Sequence, residues 1–174
     1  MDAIERYIIG LDIGVVNLGL AVFDLHTHQF CLLTNVRLIP KGNRYYPSEN
    51  VKLVRNFINT YQEYFDNAHR IILERQMRCN MRIIEAVLHA MHYDITTIVN
   101  ARSVKMHFGI CVTGAGNHYA ENKRRAVDWA RNYIAEREDL ADSCITKEFR
   151  TCSKSDDIAD AMLMVVYYLR TFLP

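Results

Sequence analysis

Three short apolar runs occupy the first forty residues, and this succession limits the possible folds more than any other feature. The runs are Tyr7–Asp12, Leu20–Leu25 and residues 30–39. A glycine-containing turn around Gly14 separates the first two runs, and His26–Gln29 separates the second from the third. Runs joined by such short turns are typical of antiparallel hairpins. The sequence therefore predicts three consecutive antiparallel strands.

Helices and strands alternate after these runs. Residues 40–47 (PKGNRYYP) are predicted to form a loop because of their proline and glycine content. Ser48 is a candidate cap for a helix whose apolar residues continue at helical spacing to Phe65. The remaining predicted elements are a strand at Ile71–Leu73, a helix at Met81–Met91, a strand at Ile95–Val99, a helix at Ala101–Phe108 that ends at Gly109, a turn at Gly114–Asn117, a helix from about His118 to Glu138 and a last helix from about Asp156.

This order of elements predicts an α/β fold with one mixed sheet. Three antiparallel strands come first, parallel strands follow, and helices cover both faces of the sheet. The 174 residues lie within the range of about 100–200 residues that is common for one domain. We therefore expect residues 1–174 to form a single domain.

Asp12 ends the first predicted strand and lies between Gly10 and Gly14. A charge at the end of an apolar strand is costly unless it lies at a sheet edge, pairs with another charge or binds a cation. A glycine-flanked acid can equally be a turn residue that caps its own backbone. Asp12 alone therefore leaves a functional and a structural interpretation open.

Glu74 repeats this pattern at the end of the predicted strand in HRIILE. The structural alternative is a salt bridge to Arg75 or Arg78. Two separate strands that end in acids at corresponding places make a shared site more credible than either acid does alone.

Asp157 and Asp160 are three residues apart and therefore share one face of the last predicted helix. Like charges at this spacing repel each other, and a cation between them explains their closeness. Asp156 is interpreted as an ordinary acid at a helix N-terminus, where the helix dipole favours it. Carboxylate oxygens suit Mg²⁺ or Mn²⁺ and suit zinc poorly. Two such ions can flank a scissile phosphate, so these residues favour phosphodiester hydrolysis as a hypothesis.

The charges are unevenly distributed although their sum is close to zero. The chain has 21 Lys and Arg residues against 20 Asp and Glu residues. Residues 101–137 contain seven basic and three acidic residues, whereas residues 138–160 contain three basic and seven acidic residues. Neighbouring basic and acidic segments suit a site that holds metal ions beside phosphates.

The five cysteines are widely spaced, form no CxxC pair and follow no secretory signal. This usage favours a reduced, intracellular protein. No apolar run approaches the ~20 residues needed to span a bilayer. We therefore expect a soluble protein without a membrane partner.

Five segments together resemble the RuvC-type Holliday-junction resolvases of the ribonuclease H-like superfamily, and their poxvirus members in particular. The segments are IIGLDIGVVNLGLAV at residues 8–22, IILERQ at 71–76, ARSVKMHFG at 101–109, AENKRRAV at 120–127 and DDIADAML at 156–163. They follow the family's order at similar spacing and cover nearly the whole chain. The set is specific, although no single segment is.

The resemblance implies a role for eight residues. Asp12, Glu74, Asp157 and Asp160 match the family's catalytic, metal-binding carboxylates. Lys105 and Lys123 match lysines that face DNA, and Arg124 and Arg125 are weaker matches. Solvated surface charge is the alternative interpretation of the two lysines.

The resemblance also implies an activity and its partners. The chain would be a Mg²⁺-dependent endodeoxyribonuclease, with Mn²⁺ as a substitute, that acts as a homodimer on branched DNA. Paired symmetric nicks across a four-way junction would leave 5′-phosphate and 3′-hydroxyl ends. A two-fold dimer suits a junction with approximate two-fold symmetry. Poxvirus relatives imply work in the host cytoplasm, on joined copies of a viral genome.

One position departs from the bacterial family pattern. An aromatic residue that stacks at the junction follows the catalytic Glu by three residues in RuvC, whereas this chain has Met77 there. Met77 is able to wedge between bases as an apolar side chain, and packing in the core or a dimer is the alternative. Tyr45 and Tyr46 are further candidates for base stacking, or pack against the domain surface.

Three other functions compete with this interpretation. A ribonuclease H that cuts RNA–DNA hybrids would have the same fold and metals. A non-catalytic junction-binding protein is also possible, although all four acids are retained. Nucleotide-binding proteins of the actin and sugar-kinase type also begin with an Asp in a glycine-rich turn, but they need two domains, and 174 residues suffice for one.

Overall fold

The computed structural model describes residues 5–112, 118–137 and 144–173. Its strands are β1 Tyr7–Asp12, β2 Asn17–Asp24, β3 Gln29–Arg37, β4 Ala68–Glu74 and β5 Thr96–Val99. They form one sheet in the order β3-β2-β1-β4-β5. Strand β2 is antiparallel to β1 and β3, whereas β4 is parallel to β1 and β5. The predicted mixed sheet is confirmed.

Helices connect the later strands and follow the last one. They are α1 Asn50–Thr60, α2 Gln62–Asp66, α3 Cys79–Met91, α4 Ala101–His107, α5 Tyr119–Ala135, α6 Cys144–Thr151 and α7 Ser155–Phe172. Short 3-10 helices at Pro47–Glu49 and Tyr93–Ile95 precede α1 and β5. The predicted end of α4 is confirmed, because Gly109 lies just beyond it with a φ of 67°, a conformation that favours glycine.

The core consists of two apolar layers, one on each face of the sheet, because side chains alternate along a strand. Ile8 and Ile72 pack with residues of α5 and α7 on one face. Ile9 and Leu11 pack with residues of α1 and α3 on the other. The prediction of helices on both faces is therefore confirmed, and β1 is buried from both sides.

Two strands begin earlier than the apolar pattern predicts. Strand β2 begins three residues before its predicted start, at Asn17, and β4 begins three residues before its own, at Ala68. In β2, Gly19 pairs with Asn35 of β3. In β4, Arg70 takes part in pairing with β1. Backbone pairing does not require apolar side chains, so an apolar pattern underestimates both strands.

The helix predicted from Ser48 to Phe65 is divided in the structure. Tyr61 has φ and ψ angles of −112° and 27°, which are not helical, and separates α1 from α2. Ser48 lies in the preceding 3-10 helix instead of capping α1, whose N-cap residue is Glu49. The apolar residues keep helical spacing across the break, so their pattern did not reveal it.

Helix α6 has no counterpart in the sequence prediction. Phe149 is buried and Ile145 packs partly buried against the same core layer. Two apolar residues four positions apart, in a helix of eight residues, form too short a repeat to distinguish a helix from a loop.

Two predictions fall outside the part of the chain that the structure describes. They are the turn at Gly114–Asn117 and the end of the long helix at Glu138. The preceding part of that helix is described as α5. In the described ranges, no helix combines the length and the hydropathy that crossing a bilayer requires.

Candidate functional site

Asp12 and Glu74, the strand acids, are the last residues of the adjacent parallel strands β1 and β4. The pairing of Leu11 with Leu73 places the two following residues side by side at the same edge of the sheet. The Glu74 carboxyl is close enough to the buried Asp12 carboxyl to contribute, after burial, to raising the pKa of Asp12. The sheet register alone therefore brings the two strand ends together.

Helix α7 approaches the sheet closely enough to place its first turns over these strand ends. Gly10 and Asp12 share one face of β1 because they are two residues apart. A Cβ atom at Gly10 would overlap the backbone oxygen of Ala161, and a Cβ atom at Gly19 would overlap the backbone oxygen of Asp157. Gly19 is the partner of Asp12 across β1 and β2. The missing side chain at Gly19 therefore permits α7 to begin beside Asp12.

Asp157 and Asp160, the helix acids, line the same cavity as the strand acids. This acidic cavity has a volume of about 740 Å³. Asp157 accepts a hydrogen bond of 3.1 Å from Nδ2 of Asn35 in β3, and a carboxylate oxygen of Asp160 lies 2.8 Å from Nζ of Lys105. Four carboxylates from two strands and one helix thus surround one cavity.

Burial and the charges of neighbouring acids disfavour the charged forms of the three aspartates, Asp12, Asp157 and Asp160. Burial, followed by the hydrogen bond and charge of Glu74, holds the pKa of Asp12 well above its ordinary value. Burial also raises the pKa of Asp160, although Lys105 opposes the shift. Burial and the charge of the preceding aspartate raise the pKa of Asp157. A bound cation would reverse this balance, because it favours ionised carboxylates.

The two predicted DNA-facing lysines lie at the acidic cavity. Lys105 in α4 is paired with Asp160, and only 14% of its side chain is exposed. Lys123 in α5 contacts Asp156, and its Nζ lies 3.9 Å from a carboxylate oxygen of Asp157. The alternative of a solvated surface charge does not fit either lysine. A contact between these lysines and DNA stays a prediction.

Arg124 and Arg125 follow Lys123 but are not among the described residues that line the acidic cavity. Both arginines pair with Glu121, and Arg124 also pairs with Asp128. These ion pairs lie on the exposed side of α5. The sequence placed the two arginines in one basic segment with Lys123, whereas the helix directs them away from the cavity, so their contact with DNA stays a prediction.

Two polar residues beside the acids had no role in the sequence analysis. They are Asn35, described above, and the buried Gln76, whose Nε2 donates to the backbone oxygen and a carboxylate oxygen of Glu74, both at 3.3 Å. In the described part of the chain, Glu74 forms no ion pair with Arg75 or Arg78, the structural alternative for this acid, and has Gln76 as its partner. The sequence signals that could have identified these two residues are the position of Asn35 inside the third apolar run and the position of Gln76 two residues after Glu74 in IILERQ.

Met77 lies at the mouth of the acidic cavity. It lines that cavity and 86% of it is exposed, which excludes packing in the core. Tyr45 and Tyr46 line a separate cavity of about 510 Å³ beside the loop of residues 40–47. Of the three candidates for contact with unstacked bases, Met77 is therefore the one beside the carboxylates.

The four carboxylates are ligands of the kind that a divalent cation prefers, but they do not converge on one point. Within the described ranges, no group of three carboxylate, histidine or cysteine side chains is placed so that it could hold a metal ion. One reason is that the Lys105 ammonium lies beside the Asp160 carboxylate, where a metal ion would bind. The chemistry of the four acids nevertheless fits a hard divalent ion, which prefers carboxylate oxygens.

A family match covers most of the chain. The family described as poxvirus A22 protein matches residues 6–171. No curated protein matches the sequence.

Several solved structures share this fold. The fowlpox virus resolvase, solved in complex with Holliday junction DNA, has a TM-score of 0.64 at 19% identity, over 97% of this chain and 99% of that chain. The yeast mitochondrial Holliday junction resolvase has a TM-score of 0.68 at 19% identity, over 95% of this chain and 80% of that chain. RuvC from Thermus thermophilus has a TM-score of 0.60 at 14% identity, over 94% of this chain and 95% of that chain. The predicted ribonuclease H-like fold of the RuvC type is thus confirmed.

Proposed function

Because the chain belongs to the poxvirus A22 protein family, we propose that it is a Mg²⁺-dependent endodeoxyribonuclease that resolves four-way DNA junctions. The observation that carries this proposal is the acidic cavity, in which four carboxylates and two lysines meet. Carboxylates beside fixed cations suit chemistry on a phosphodiester. Structures of the fowlpox virus and Thermus thermophilus enzymes with Holliday junction DNA, on the same fold, support the junction as substrate.

The strand acids and the helix acids would hold the divalent ions. Such ions lower the pKa of the attacking water and stabilise the leaving oxygen when a phosphodiester is hydrolysed. An ion at Asp160 would compete with Lys105 for the same oxygens, so Lys105 would become available to a DNA phosphate. Gln76 would keep the Glu74 carboxylate directed into the cavity. Mn²⁺ would substitute for Mg²⁺ because it takes the same oxygen ligands.

The surroundings of the acidic cavity suit a branched strand rather than a free nucleotide. Arg75, Arg78 and Arg102 line the cavity together with the two lysines, and cations of this kind bind a DNA backbone. The exposed Met77 would contact bases that are unstacked at the branch point.

Resolution of a junction requires two nicks in opposed strands, and we therefore propose that the chain acts as a homodimer. A two-fold dimer presents one acidic cavity to each of the two strands. Sedimentation at micromolar concentration should give twice the chain mass, and a monomer that cuts both strands at equal rates would contradict the dimer. Three further proposals rest on the family. They are that cleavage leaves 5′-phosphate and 3′-hydroxyl ends, that the substrate is joined copies of a viral genome, and that the protein works in the host cytoplasm.

Cleavage of matched substrates tests the activity. A four-way junction, a linear duplex of the same sequence and an RNA–DNA hybrid are incubated with the protein and Mg²⁺. We expect cleavage of the junction, and we expect Asp12→Asn to reduce it by about a thousandfold, equivalent to about 4 kcal/mol of lost stabilisation, while junction binding persists. Asp94→Asn, an isosteric change at an exposed residue away from the acidic cavity, is the control and should cut like the wild type.

Each other outcome has a definite meaning. Equal cleavage of all three substrates would contradict the resolvase, and cleavage of the hybrid alone would indicate a ribonuclease H. Binding of the junction without cleavage in Mg²⁺ or Mn²⁺ would indicate a non-catalytic junction-binding protein. Normal cleavage by Asp12→Asn would show that the acids are assigned wrongly.

A further inference from the structure

Lys123 has its main partner outside the four proposed metal ligands. Its Nζ forms a hydrogen-bonded ion pair with Asp156, whereas the nearest oxygen of Asp157 is 3.9 Å away. Both side chains of the closer pair are shielded, with 29% of Lys123 and 19% of Asp156 exposed. This pair links the second turn of α5 to the first turn of α7, the helix that carries the helix acids.

Tyr119 contacts the same ammonium group. The Nζ of Lys123 lies 5.1 Å from the centroid of the Tyr119 ring, a distance typical of a cation–π contact. A lysine side chain has about 2 kcal/mol of rotamer entropy and would otherwise sample many positions. A carboxylate and an aromatic ring on either side select one of them.

Asp156 does more than the helix dipole requires. Acids are favoured anywhere in the first turn of a helix, which by itself is enough to explain an aspartate at position 156. In the structure, its carboxylate instead forms an ion pair with the Lys123 ammonium of α5 at the acidic cavity. Without Asp156, the nearest acid for Lys123 is Asp157, which is already within 4 Å.

We infer that Asp156 is a positioning residue of the proposed nuclease site: it fixes the Lys123 ammonium at the rim of the acidic cavity and keeps it from pairing with Asp157. The inference rests on the proposed function. Held in this way, Lys123 is available to a phosphate of the bound strand, and Asp157 is available to a metal ion. Loss of Asp156 would therefore impair cleavage more than binding.

A double-mutant cycle tests whether Asp156 acts through Lys123. The variants are Asp156→Asn, Lys123→Gln and the double variant, and the measurements are the single-turnover cleavage rate at saturating protein and the metal-free Kd for a four-way junction. We expect Asp156→Asn to reduce the rate about tenfold and to change the Kd less than threefold. We expect the double variant to be no slower than Lys123→Gln alone.

Two further variants exclude a merely structural effect. Asp156→Glu retains the charge and should restore most of the rate. Glu49→Gln also removes an acid from the start of a helix and breaks an ion pair, with Lys52 at 3.2 Å, but it lies outside the acidic cavity, so it should cut at the wild-type rate.

The outcomes separate this inference from the proposed function. If the wild type cuts junctions but Asp156→Asn does so equally fast, or if the effects of Asp156→Asn and Lys123→Gln multiply, the positioning role is wrong and the nuclease stands. If Asp156→Asn fails to fold, a slow Asp156→Glu with a normal melting curve would also overturn the inference. A wild type that cuts no junction with Mg²⁺ or Mn²⁺ would instead contradict the nuclease itself.

Discussion

The strand acids and the helix acids line the same cavity, but their charges are balanced in different ways. Each helix acid has a lysine ammonium within 4 Å, Lys123 at 3.9 Å from Asp157 and Lys105 at 2.8 Å from Asp160. In the described part of the chain, the strand acids have no such partner, and burial together with the neighbouring Glu74 raises the pKa of Asp12. The sheet register holds the strand acids together despite their repulsion, whereas lysines from α4 and α5 stabilise the helix acids.

This difference separates two requirements of a site that binds cations. A pair of unbalanced acids attracts an ion strongly but destabilises the protein without it. A pair with internal cations is stable without an ion, but those cations must move or be shared when the ion binds. Substitutions on each side of the cavity distinguish these two arrangements.

Among substitutions outside the four acids, the largest effect is expected from Gly19→Ala, which disturbs the contact between the strand acids and the helix acids. Its Cβ atom would overlap the backbone oxygen of Asp157, so the start of α7 must shift. A misplacement of about 1 Å in a catalytic site costs about a hundredfold in rate, and we expect that loss in junction cleavage. Gly42→Ala is the control, since Gly42 has a φ of 89° and no atom nearby. It should lose about 1 kcal/mol of stability and cut normally.

The next largest effect is expected on stability, from Lys105→Met. It leaves Asp160, which is mostly buried, without its cation, and we expect the free energy of unfolding in EDTA to fall by about 2 kcal/mol. Urea denaturation measures this change. Lys52→Met removes an exposed lysine paired with Glu49 and should change stability by less than about 0.5 kcal/mol. Equal losses in the two variants would show that the helix acids do not depend on their lysine.

Asp12→Asn should have the opposite sign, because it removes unbalanced charge from the strand acids. The pKa of Asp12 is raised in the folded state, so its ionised form is less favourable there than in the unfolded chain. The stability that the protonated Asp12 carboxyl contributes is therefore fully present below pH ~4, and it is lost as the pH rises through the pKa of Asp12 in the folded protein. In EDTA at pH 8 we expect Asp12→Asn to melt higher than the wild type, by about 2–4 °C for each kcal/mol gained.

The gain from Asp12→Asn should shrink as the pH is lowered to about 4, where the wild-type carboxyl is protonated. Thermal unfolding at a series of pH values measures this trend. A gain in stability that stayed constant with pH, or a variant less stable than the wild type at pH 8, would show that the ionised Asp12 carboxylate does not destabilise the folded protein.

The smallest effect is expected from Arg124→Ala, outside the acidic cavity. The Arg124 side chain is 64% exposed, and among the described residues its ion-pair partners all lie on its own helix, so stability should change by less than about 0.5 kcal/mol. Its charge is already shared by two carboxylates, and we expect the salt dependence of junction binding to stay nearly constant. Lys123→Gln should reduce the slope of log K against log salt by about 0.9, as loss of one phosphate contact does. A similar reduction in Arg124→Ala would place Arg124 on the DNA.

Much of this molecule is fixed by local sequence. Apolar runs that end at Asp12 and Glu74 predict strands, and their order predicts the mixed sheet, because backbone geometry and burial of apolar side chains act over a few residues. The three-residue spacing of Asp157 and Asp160 likewise predicts a shared helix face. These are the inferences for which near neighbours in the chain suffice.

The partners of these acids were decided only by tertiary structure. Sequence places Lys123, Arg124 and Arg125 in one basic segment, but helix geometry separates them, and only the packing of α5 against α7 joins Lys123 to Asp156. The approach of α7 to the sheet likewise depends on the missing Cβ of Gly19, more than a hundred residues before Asp157. Ion pairs and close contacts of this kind depend on distances between elements, and a local pattern does not contain those distances.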